Sequence, residues 1–212
     1  MRTSTRWTVA VLAVLATLTV AFALETREAA VPAGQPSAQV ARTHRDSDTP
    51  EALAEPRRRA DLPPCPAAKG GSGPARLRGV VVECAADGTS VDVGPALANR
   101  PVVLNLWAYW CGPCAEELPA LQAYQRRVGN AVSVVTVHQD ENETAALVRM
   151  AELGVRLPVL QDGRRSIAAA LGVPNVMPAT VVLRANGSVA AVLPEPFTSA
   201  DGIAAAVESA LR

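Results

Sequence analysis

The chain has 212 residues, with 20 Lys and Arg against 20 Asp and Glu, so its formal net charge is zero. Hydrophobic residues make up 49% of the sequence, which is enough to build a buried core of ordinary domain size. Beyond the triplet Arg57-Arg58-Arg59 the sequence has no basic cluster, and this balance of charges argues against a nucleic-acid-binding protein.

The first 24 residues have the pattern of an export signal. Arg2 and Arg6 precede an uncharged apolar run at residues 7–24, and their charges predict that the chain starts in the cytoplasm. The 18 residues of this run are just enough to span a bilayer, so we expect an uncleaved membrane anchor. The alternative is secretion after cleavage near Ala23, since Ala21-Phe22-Ala23 has the small-x-small form that a signal peptidase accepts.

Residues 25–64 are rich in Pro, Ala and charged side chains, with almost no aromatic residues and no lasting periodicity. Such a composition cannot bury enough apolar surface to offset the entropy cost of ordering the chain. The sequence therefore predicts a flexible linker, which as a coil would span roughly 35 Å on average. One folded domain is expected to follow at residues 65–212.

Two cysteines lie near the start of this predicted domain. Cys84 ends an apolar segment that begins at Leu77, and Asp87-Gly88 then turns the chain into the alternating residues 89–93, which predicts a β-hairpin. In an exported chain, Cys65 and Cys84 suggest a structural disulfide that fastens the first residues of the domain to the hairpin. The alternative is a second redox pair, or two unpaired thiols.

The segment Trp110-Cys111-Gly112-Pro113-Cys114 lies between a predicted strand and a predicted helix. The strand is the apolar run Val102–Trp107, typical of a sheet buried on both faces, and the helix is indicated by Leu and Ala at helical spacing over residues 115–124. Cys111 therefore precedes the first turn of a helix, where unpaired N–H groups and the positive end of the helix dipole favour a thiolate. We expect Cys111 to attack disulfides, and Cys114, one turn further on, to resolve the mixed disulfide.

Other uses of this cysteine pair fit the sequence less well. A zinc ribbon needs a second pair of ligands, yet Cys65 and Cys84 stand far apart and His44 and His138 are isolated. A c-type haem attachment requires His directly after the second cysteine, where this chain has Ala115. A purely structural disulfide would be unusual at a helix start. We therefore expect neither a metal nor a cofactor.

The rest of the chain alternates strand and helix patterns before it ends in a hairpin and a helix. The expected strands are residues 132–138, 157–160, 180–183 and 188–193, and the expected helices are residues 144–153, 164–171 and 200–211. Asn186-Gly187 gives the turn between the last two strands. This order predicts an α/β domain in which helices cover both faces of a central mixed sheet.

Two segments carry a resemblance to a known family. Residues 102–119, which contain the cysteine pair, resemble the signature of the thioredoxin family and, within it, of the TlpA/ResA-like extracytoplasmic thiol-disulfide oxidoreductases. Residues 172–183 give a second match, and the resemblance covers residues 75–211. It implies a thioredoxin-like fold with an N-terminal β-hairpin and a helical insert between Thr144 and Leu171.

The resemblance also implies a substrate-binding surface beside the cysteines. The family's proline at the position of Pro178 is cis and lies against the cysteine pair, which would leave the backbone of Met177 free to bind an extended substrate strand. Without the resemblance, Pro178 would be interpreted as an ordinary trans proline that opens a strand. Trp110, Met177 and Pro178 are accordingly expected to contact the substrate.

Glu117 lies three residues after Cys114, one helical turn away. The subgroup has an active-site glutamate here, so the resemblance implies a proton carrier for Cys114. The alternative is a carboxylate that stabilises the first helical turn by roughly a few tenths of a kcal/mol. Thioredoxin has a buried aspartate on the preceding strand where this chain has Asn105, and residues 132–138 contain no lysine to pair with such an acid. Proton handling must therefore differ from that of thioredoxin.

The expected function is exchange of thiols and disulfides outside the cytoplasm. The resemblance implies a reductant whose partners are exported proteins, including apocytochromes c being prepared for haem, and a membrane electron donor or acceptor. Gly112-Pro113 matches thioredoxin and favours this direction, but direction depends on potential, so a disulfide oxidase or isomerase is the first alternative. The second is a non-catalytic metal-delivery protein that uses both thiols, with His138 approaching them in space.

Overall fold

A single mixed sheet of seven strands forms the centre of the computed structural model, which describes residues 48–68 and 70–212. Its strands are β1 (Val81–Cys84), β2 (Ser90–Asp92), β3 (Val102–Trp107), β4 (Ser133–His138), β5 (Val159–Gln161), β6 (Ala179–Leu183) and β7 (Val189–Leu193). The helices are α1 (Pro50–Ala60), α2 (Val93–Ala96), α3 (Gly112–Val128), α4 (Glu143–Leu153), α5 (Ser166–Leu171) and α6 (Ala200–Leu211), and Ala75–Leu77 form a 3-10 turn. The strand order across the sheet is β2-β1-β5-β4-β3-β6-β7.

Strand β3 lies inside the sheet because its side chains can be buried on both faces. All six of its residues are buried, and it pairs in parallel with β4 and antiparallel with β6. Val103 and Trp107 belong to a core that also contains residues of α1, α3, α4 and α6. Leu104 and Leu106 belong to a second core, together with residues of α2 and α5. The two-residue period of a strand explains this division and confirms the predicted sheet with helices on both faces.

The predicted N-terminal hairpin is formed by β1 and β2, which pair antiparallel. Gly88 has a φ of 77°, in the left-handed region that favours glycine. The carboxylate of Asp87 accepts the backbone N–H of Thr89 at 2.9 Å and so stabilises the turn. Strand β1 also pairs antiparallel with β5, so the hairpin extends the central sheet by two strands.

The predicted bridge between Cys65 and Cys84 is present, with an S–S distance of 2.05 Å. Cys84 ends β1 and is fully buried in the core on the α2 and α5 side of the sheet. The bridge therefore ties the chain that enters the domain to the first strand of the sheet.

The flexible linker predicted for residues 25–64 does not hold over Pro50–Ala60, which form helix α1. Leu53 and Ala60 of this helix are buried in the core on the α3 side of the sheet. Thr49 caps the helix by accepting the N–H of Ala52 at 3.2 Å, and proline is tolerated in the first turn, where no N–H partner is needed. Composition missed this helix because its apolar face is short and is completed by packing against α4.

Polar contacts of two residues, Arg57 and Asp48, fasten this N-terminal segment to α4. Arg57 pairs with Glu143 at 2.8 Å, and the side chains are only 14% and 5% exposed. Asp48 accepts the backbone N–H groups of Glu143 at 2.8 Å and Thr144 at 3.3 Å, so it caps the start of α4. The guanidinium of Arg57 also lies over Gly88, at the tip of the hairpin.

The remaining predicted helices and strands are found within a few residues of their expected ends. The excursion between Thr144 and Leu171 contains a strand of the sheet as well as helices, since β5 pairs in parallel with β4. The predicted anchor at residues 7–24 and the predicted linker at residues 25–47 lie outside the described residues. Within residues 48–68 and 70–212, no helix is both long enough and apolar enough to cross a membrane.

Candidate active site

Cys111 and Cys114 are joined by a disulfide at the N-terminus of α3, with an S–S distance of 2.02 Å. Cys111 is the N-cap residue, and its Sγ accepts the backbone N–H of Cys114 at 3.3 Å. Gly112 and Pro113 form the first helical positions, where proline needs no N–H partner. Cys111 retains 6% exposure whereas Cys114 has none, so Cys111 is the less buried residue of the pair.

The chain reaches Cys111 from β3 through a tight turn. The N–H of Cys111 donates to the carbonyl of Ala108 at 3.0 Å and closes the turn Ala108–Cys111. Trp110 is 57% exposed, and its indole N–H donates to Asp140 at 3.0 Å. The exposed aromatic ring therefore has a fixed position next to Cys111.

The proline loop lies at the same end of β3 as the cysteines. The bond Met177–Pro178 is cis, as the family resemblance implies. Strand β6 starts directly after this bond, and its residue Ala179 pairs with Leu106, so Pro178 comes level with the end of β3. Met177 packs against the core cluster that contains both cysteines. The structure thus brings Trp110, Met177 and Pro178 to one region around the disulfide.

Glu117 is fully buried one turn beyond Cys114. The Nδ2 of Asn105 donates to its Oε2 at 2.8 Å, and the N–H of Phe197 donates to its Oε1 at 3.3 Å. Burial raises the pKa of Glu117 to about 7, although both hydrogen bonds act in the opposite direction. Glu117 can therefore take up or release a proton near neutral pH, which a surface carboxylate cannot do.

The partners of Glu117 come from distant parts of the sequence. Asn105 lies on β3, and Phe197 lies 80 residues after Glu117, in the loop before α6. The Oδ1 of Asn105 is buried without a hydrogen-bond partner among the described residues. Rotation of the Asn105 amide would let this oxygen accept the proton of a neutral Glu117. Nothing in the sequence indicates that the backbone N–H of Phe197 donates to Glu117.

His138 lies near the active-site turn, but both of its ring nitrogens are engaged away from the sulfurs. Nδ1 lies 2.9 Å from Oε1 of Gln161, and Nε2 accepts the N–H of Tyr109 at 3.4 Å. Among the described residues, no group of three or more His, Cys, Asp and Glu side chains is arranged to hold a metal. Cys65 and Cys84 also stand apart from the site, because Cys84 lies in the core on the opposite face of the sheet.

Proteins of known sequence and structure resemble this chain over the same domain. The family model described as Redoxin matches residues 64–207. The thiol-disulfide oxidoreductase ResA of Bacillus thuringiensis is 28% identical over 94 residues, which cover 44% of this chain and 54% of ResA. The match therefore spans about half the length of that relative.

Several solved structures are similar to the chain at 25% identity or above, and two of them show the range of activities. One is a secreted disulfide oxidoreductase from Mycobacterium tuberculosis homologous to E. coli DsbE, with a TM-score of 0.55 and 26% identity, covering 63% of this chain and 97% of that one. The other is a secreted thiol-disulfide isomerase from Corynebacterium glutamicum, with a TM-score of 0.54 and 27% identity, covering 62% and 83%. The fold is thus the thioredoxin-like fold, as the resemblance implied.

Proposed function

Since the chain belongs to the Redoxin family and is a thiol-disulfide oxidoreductase of the thioredoxin-like type, we propose that it reduces disulfides of exported proteins outside the cytoplasm. The observation that carries this proposal is a disulfide at the start of α3 with a buried carboxyl of raised pKa one helical turn beyond it. Cys111 stands at the helix start, Cys114 lies behind it, and Glu117, with its pKa near 7, follows one turn further on.

The first step is attack by Cys111. In the reduced protein, the free N–H groups at the start of α3 stabilise the thiolate of Cys111. This thiolate attacks one sulfur of the substrate disulfide, a mixed disulfide forms, and the other substrate sulfur leaves as a thiolate that takes a proton from water.

The second step is resolution by Cys114. Its thiol passes a proton to Glu117 and attacks the sulfur of Cys111. The second substrate sulfur then leaves as a thiolate that takes a proton from water, and Cys111 and Cys114 form the disulfide seen in the structure. Two electrons have then passed to the substrate. Glu117 later returns its proton when an electron donor reduces the pair again, and we assign this donor to the membrane.

The substrate is expected to bind across Trp110 and the proline loop. Trp110, next to Cys111, and Val176, next to Met177, are exposed apolar side chains, with exposures of 57% and 42%. Next to them, we expect the backbone of Met177, which precedes Pro178 in the proline loop, to pair with an extended substrate strand. An unfolded or flexible segment around a disulfide, as in an apocytochrome c, would fit this surface.

The extracytoplasmic location rests on the N-terminal sequence and on the relatives. The apolar run at residues 7–24 follows two arginines, as in an export signal or membrane anchor. The two similar structures described above, from Mycobacterium tuberculosis and Corynebacterium glutamicum, are of secreted proteins. A bridge such as Cys65–Cys84 is also typical of proteins that fold in an oxidising compartment.

The direction of the reaction is tested by the reduction potential of the Cys111–Cys114 pair, measured by equilibration with glutathione buffers. We expect a value near thioredoxin's, about −270 mV, because Gly112-Pro113 separates the cysteines as in thioredoxin. A value near about −120 mV would make the protein an oxidant. An intermediate value of about −180 mV would support an isomerase, which is the activity named for the similar structure from Corynebacterium glutamicum.

A second arm of the experiment tests the substrate. The reduced protein is mixed with an oxidised peptide that carries the Cys-x-x-Cys-His haem-attachment motif, and transfer of the disulfide is followed by mass spectrometry. Faster reduction of this peptide than of a scrambled peptide with the same two cysteines supports an apocytochrome c substrate. Equal rates for the two peptides would indicate a reductant with a broader range of protein substrates. Stoichiometric copper binding without exchange would instead favour the metal-delivery alternative.

A further inference from the structure

One buried histidine beside the active-site turn takes no part in the exchange steps. His138 ends β4, where it lies opposite Trp107 on β3 and Gln161 on β5. It is fully buried, and its ring centroid lies 5.0 Å from that of Trp107. A polar ring buried at this point needs hydrogen-bond partners, because a buried polar group without one destabilises the folded state.

The hydrogen bonds around His138 fix the position of its proton. The Nε2 of Gln161 donates to the carbonyl of Asp140 at 2.6 Å, and a carbonyl can only accept. The Oε1 of Gln161 must therefore face the ring, and it receives its hydrogen bond from Nδ1 of His138 at 2.9 Å. With the proton on Nδ1, Nε2 keeps a lone pair, and this lone pair accepts the N–H of Tyr109.

Tyr109 is the second residue of the turn Ala108–Cys111 that presents the reactive sulfur. Its N–H is held by His138, and its carbonyl accepts a hydrogen bond from Nε of Arg149 at 3.3 Å. Both sides of this residue are thus tied to neighbouring elements, β4 and α4. A turn tied in this way has little freedom to move Cys111 away from the first N–H groups of α3.

Building on the proposed function, in which Cys111 is the nucleophile, we propose that His138 is a positioning residue for Cys111, acting as a neutral acceptor for the Tyr109 amide. The ring does not touch substrate and moves no proton. It fixes the turn in the orientation that keeps the sulfur of Cys111 at the helix start, and it links that turn to the end of β5 through Gln161.

The surroundings keep the ring neutral. Burial lowers the pKa of His138 to about 4, although the hydrogen bond to Gln161 and the charges of Asp140 and Asp48 act in the opposite direction. A protonated ring would place a second N–H against the N–H of Tyr109 and break the contact. The acceptor is therefore present throughout the neutral range in which thiols exchange.

Two amide substitutions separate the two ring nitrogens. In His138→Gln, the side-chain oxygen can reach the place of Nε2 and still accept the N–H of Tyr109. In His138→Asn, the shorter amide can replace Nδ1 towards Gln161 but has no atom at the place of Nε2. The inference predicts that the rate at which iodoacetamide alkylates Cys111 in the reduced protein falls about tenfold in His138→Asn, the loss of roughly one hydrogen bond, and is rescued in His138→Gln.

A purely structural role would lower the thermal midpoints of both variants and leave their alkylation rates alike, and that result would overturn the inference. Wild-type protein gives a test that depends on no variant. The ¹⁵N shifts of the ring should show protonated Nδ1 and unprotonated Nε2 at pH 7, and a proton on Nε2 would contradict the contact with Tyr109. If wild-type Cys111 reacts no faster than Cys114, the proposed nucleophile is wrong, which is a separate failure.

Discussion

Cys84 and the pair Cys111 and Cys114 lie in cores on opposite faces of one sheet, and the two disulfides they form differ in their surroundings. Cys65–Cys84 joins residues 19 positions apart and ties the entering chain to a strand. Cys111–Cys114 joins residues 3 positions apart at a helix start, with Glu117 behind it and the proline loop at the same end of β3. We infer that the surroundings of a disulfide, rather than the bond itself, separate a structural bridge from a reactive one.

The most direct test of this division breaks one disulfide at a time. Cys111→Ser should reduce the rate of disulfide reduction by roughly a thousandfold or more, because the nucleophile is lost. The matched control is the double variant Cys65→Ser and Cys84→Ser, which should keep a turnover close to that of the wild type when assayed well below its unfolding temperature. Equal losses in both variants would contradict the division into a reactive and a structural pair.

The effects on stability should have the reverse order, with the larger loss when the Cys65–Cys84 bridge is removed. Replacing both Cys65 and Cys84 by Ala opens a loop of 19 residues and should lower the free energy of unfolding by about 3 kcal/mol, measured in urea. The physical reason is that the unfolded chain gains freedom that the bridge denies it. Trapping the wild type with a thiol reagent after mild reduction should count two free thiols. Four would show that Cys65–Cys84 is as reducible as the active-site pair.

Glu117 gives the active-site face a pH dependence that the other disulfide should lack. The folded pKa is near 7 and the ordinary value is 4.5, so between these values the folded protein holds a proton that the unfolded chain has released. The free energy of unfolding contributed by Glu117 is therefore present at pH 4.5 and falls as the pH rises through 7. In Glu117→Gln this component should vanish, and the rate of resolution at pH 7 should fall about tenfold or more.

The measurement compares variant and wild type at each pH, because His138 contributes with the opposite sign. Its folded pKa is about 4 against an ordinary 6.5, so its contribution to stability is lost as the pH falls from 6.5 to 4. The difference between the two proteins isolates Glu117. An unchanged pH profile of substrate reduction in Glu117→Gln would leave this carboxyl with a structural role alone.

Local signals in the sequence predicted the reactive face well. The apolar run of β3 decides its burial, and Cys111, Pro113 and Cys114 mark the helix start by their own conformational preferences. The turn residues Asp87-Gly88 likewise marked the hairpin. These elements need no knowledge of the rest of the chain.

Contacts between distant residues could not be predicted in this way. Helix α1 depends on Arg57 meeting Glu143, 86 residues later, and Glu117 depends on an amide 80 residues away. The contact of His138 with Tyr109 exists because the ends of β3, β4 and β5 meet at one edge of the sheet. Composition and periodicity describe one segment at a time, so they carry no information on which distant residues come into contact.

The smallest expected effect concerns Arg57, which lies over the hairpin that Cys84 closes. Arg57→Met keeps much of the apolar length of the side chain but leaves Glu143 without its partner. The side chain of Glu143 is only 5% exposed. Burial raises the pKa of the Glu143 carboxyl, and Arg57 opposes this rise. Without Arg57, the carboxyl can avoid a buried unpaired charge at low pH by taking up a proton, but at high pH it carries that charge. The loss of unfolding free energy should be about 1–2 kcal/mol at pH 8 and smaller at pH 5.

Arg58→Met is the matched control, because Arg58 pairs with Glu55 on the exposed surface, where such pairs contribute little. Neither variant should change the alkylation rate of Cys111, and a change in Arg57→Met would show that the Arg57–Glu143 ion pair affects the reactive sulfur.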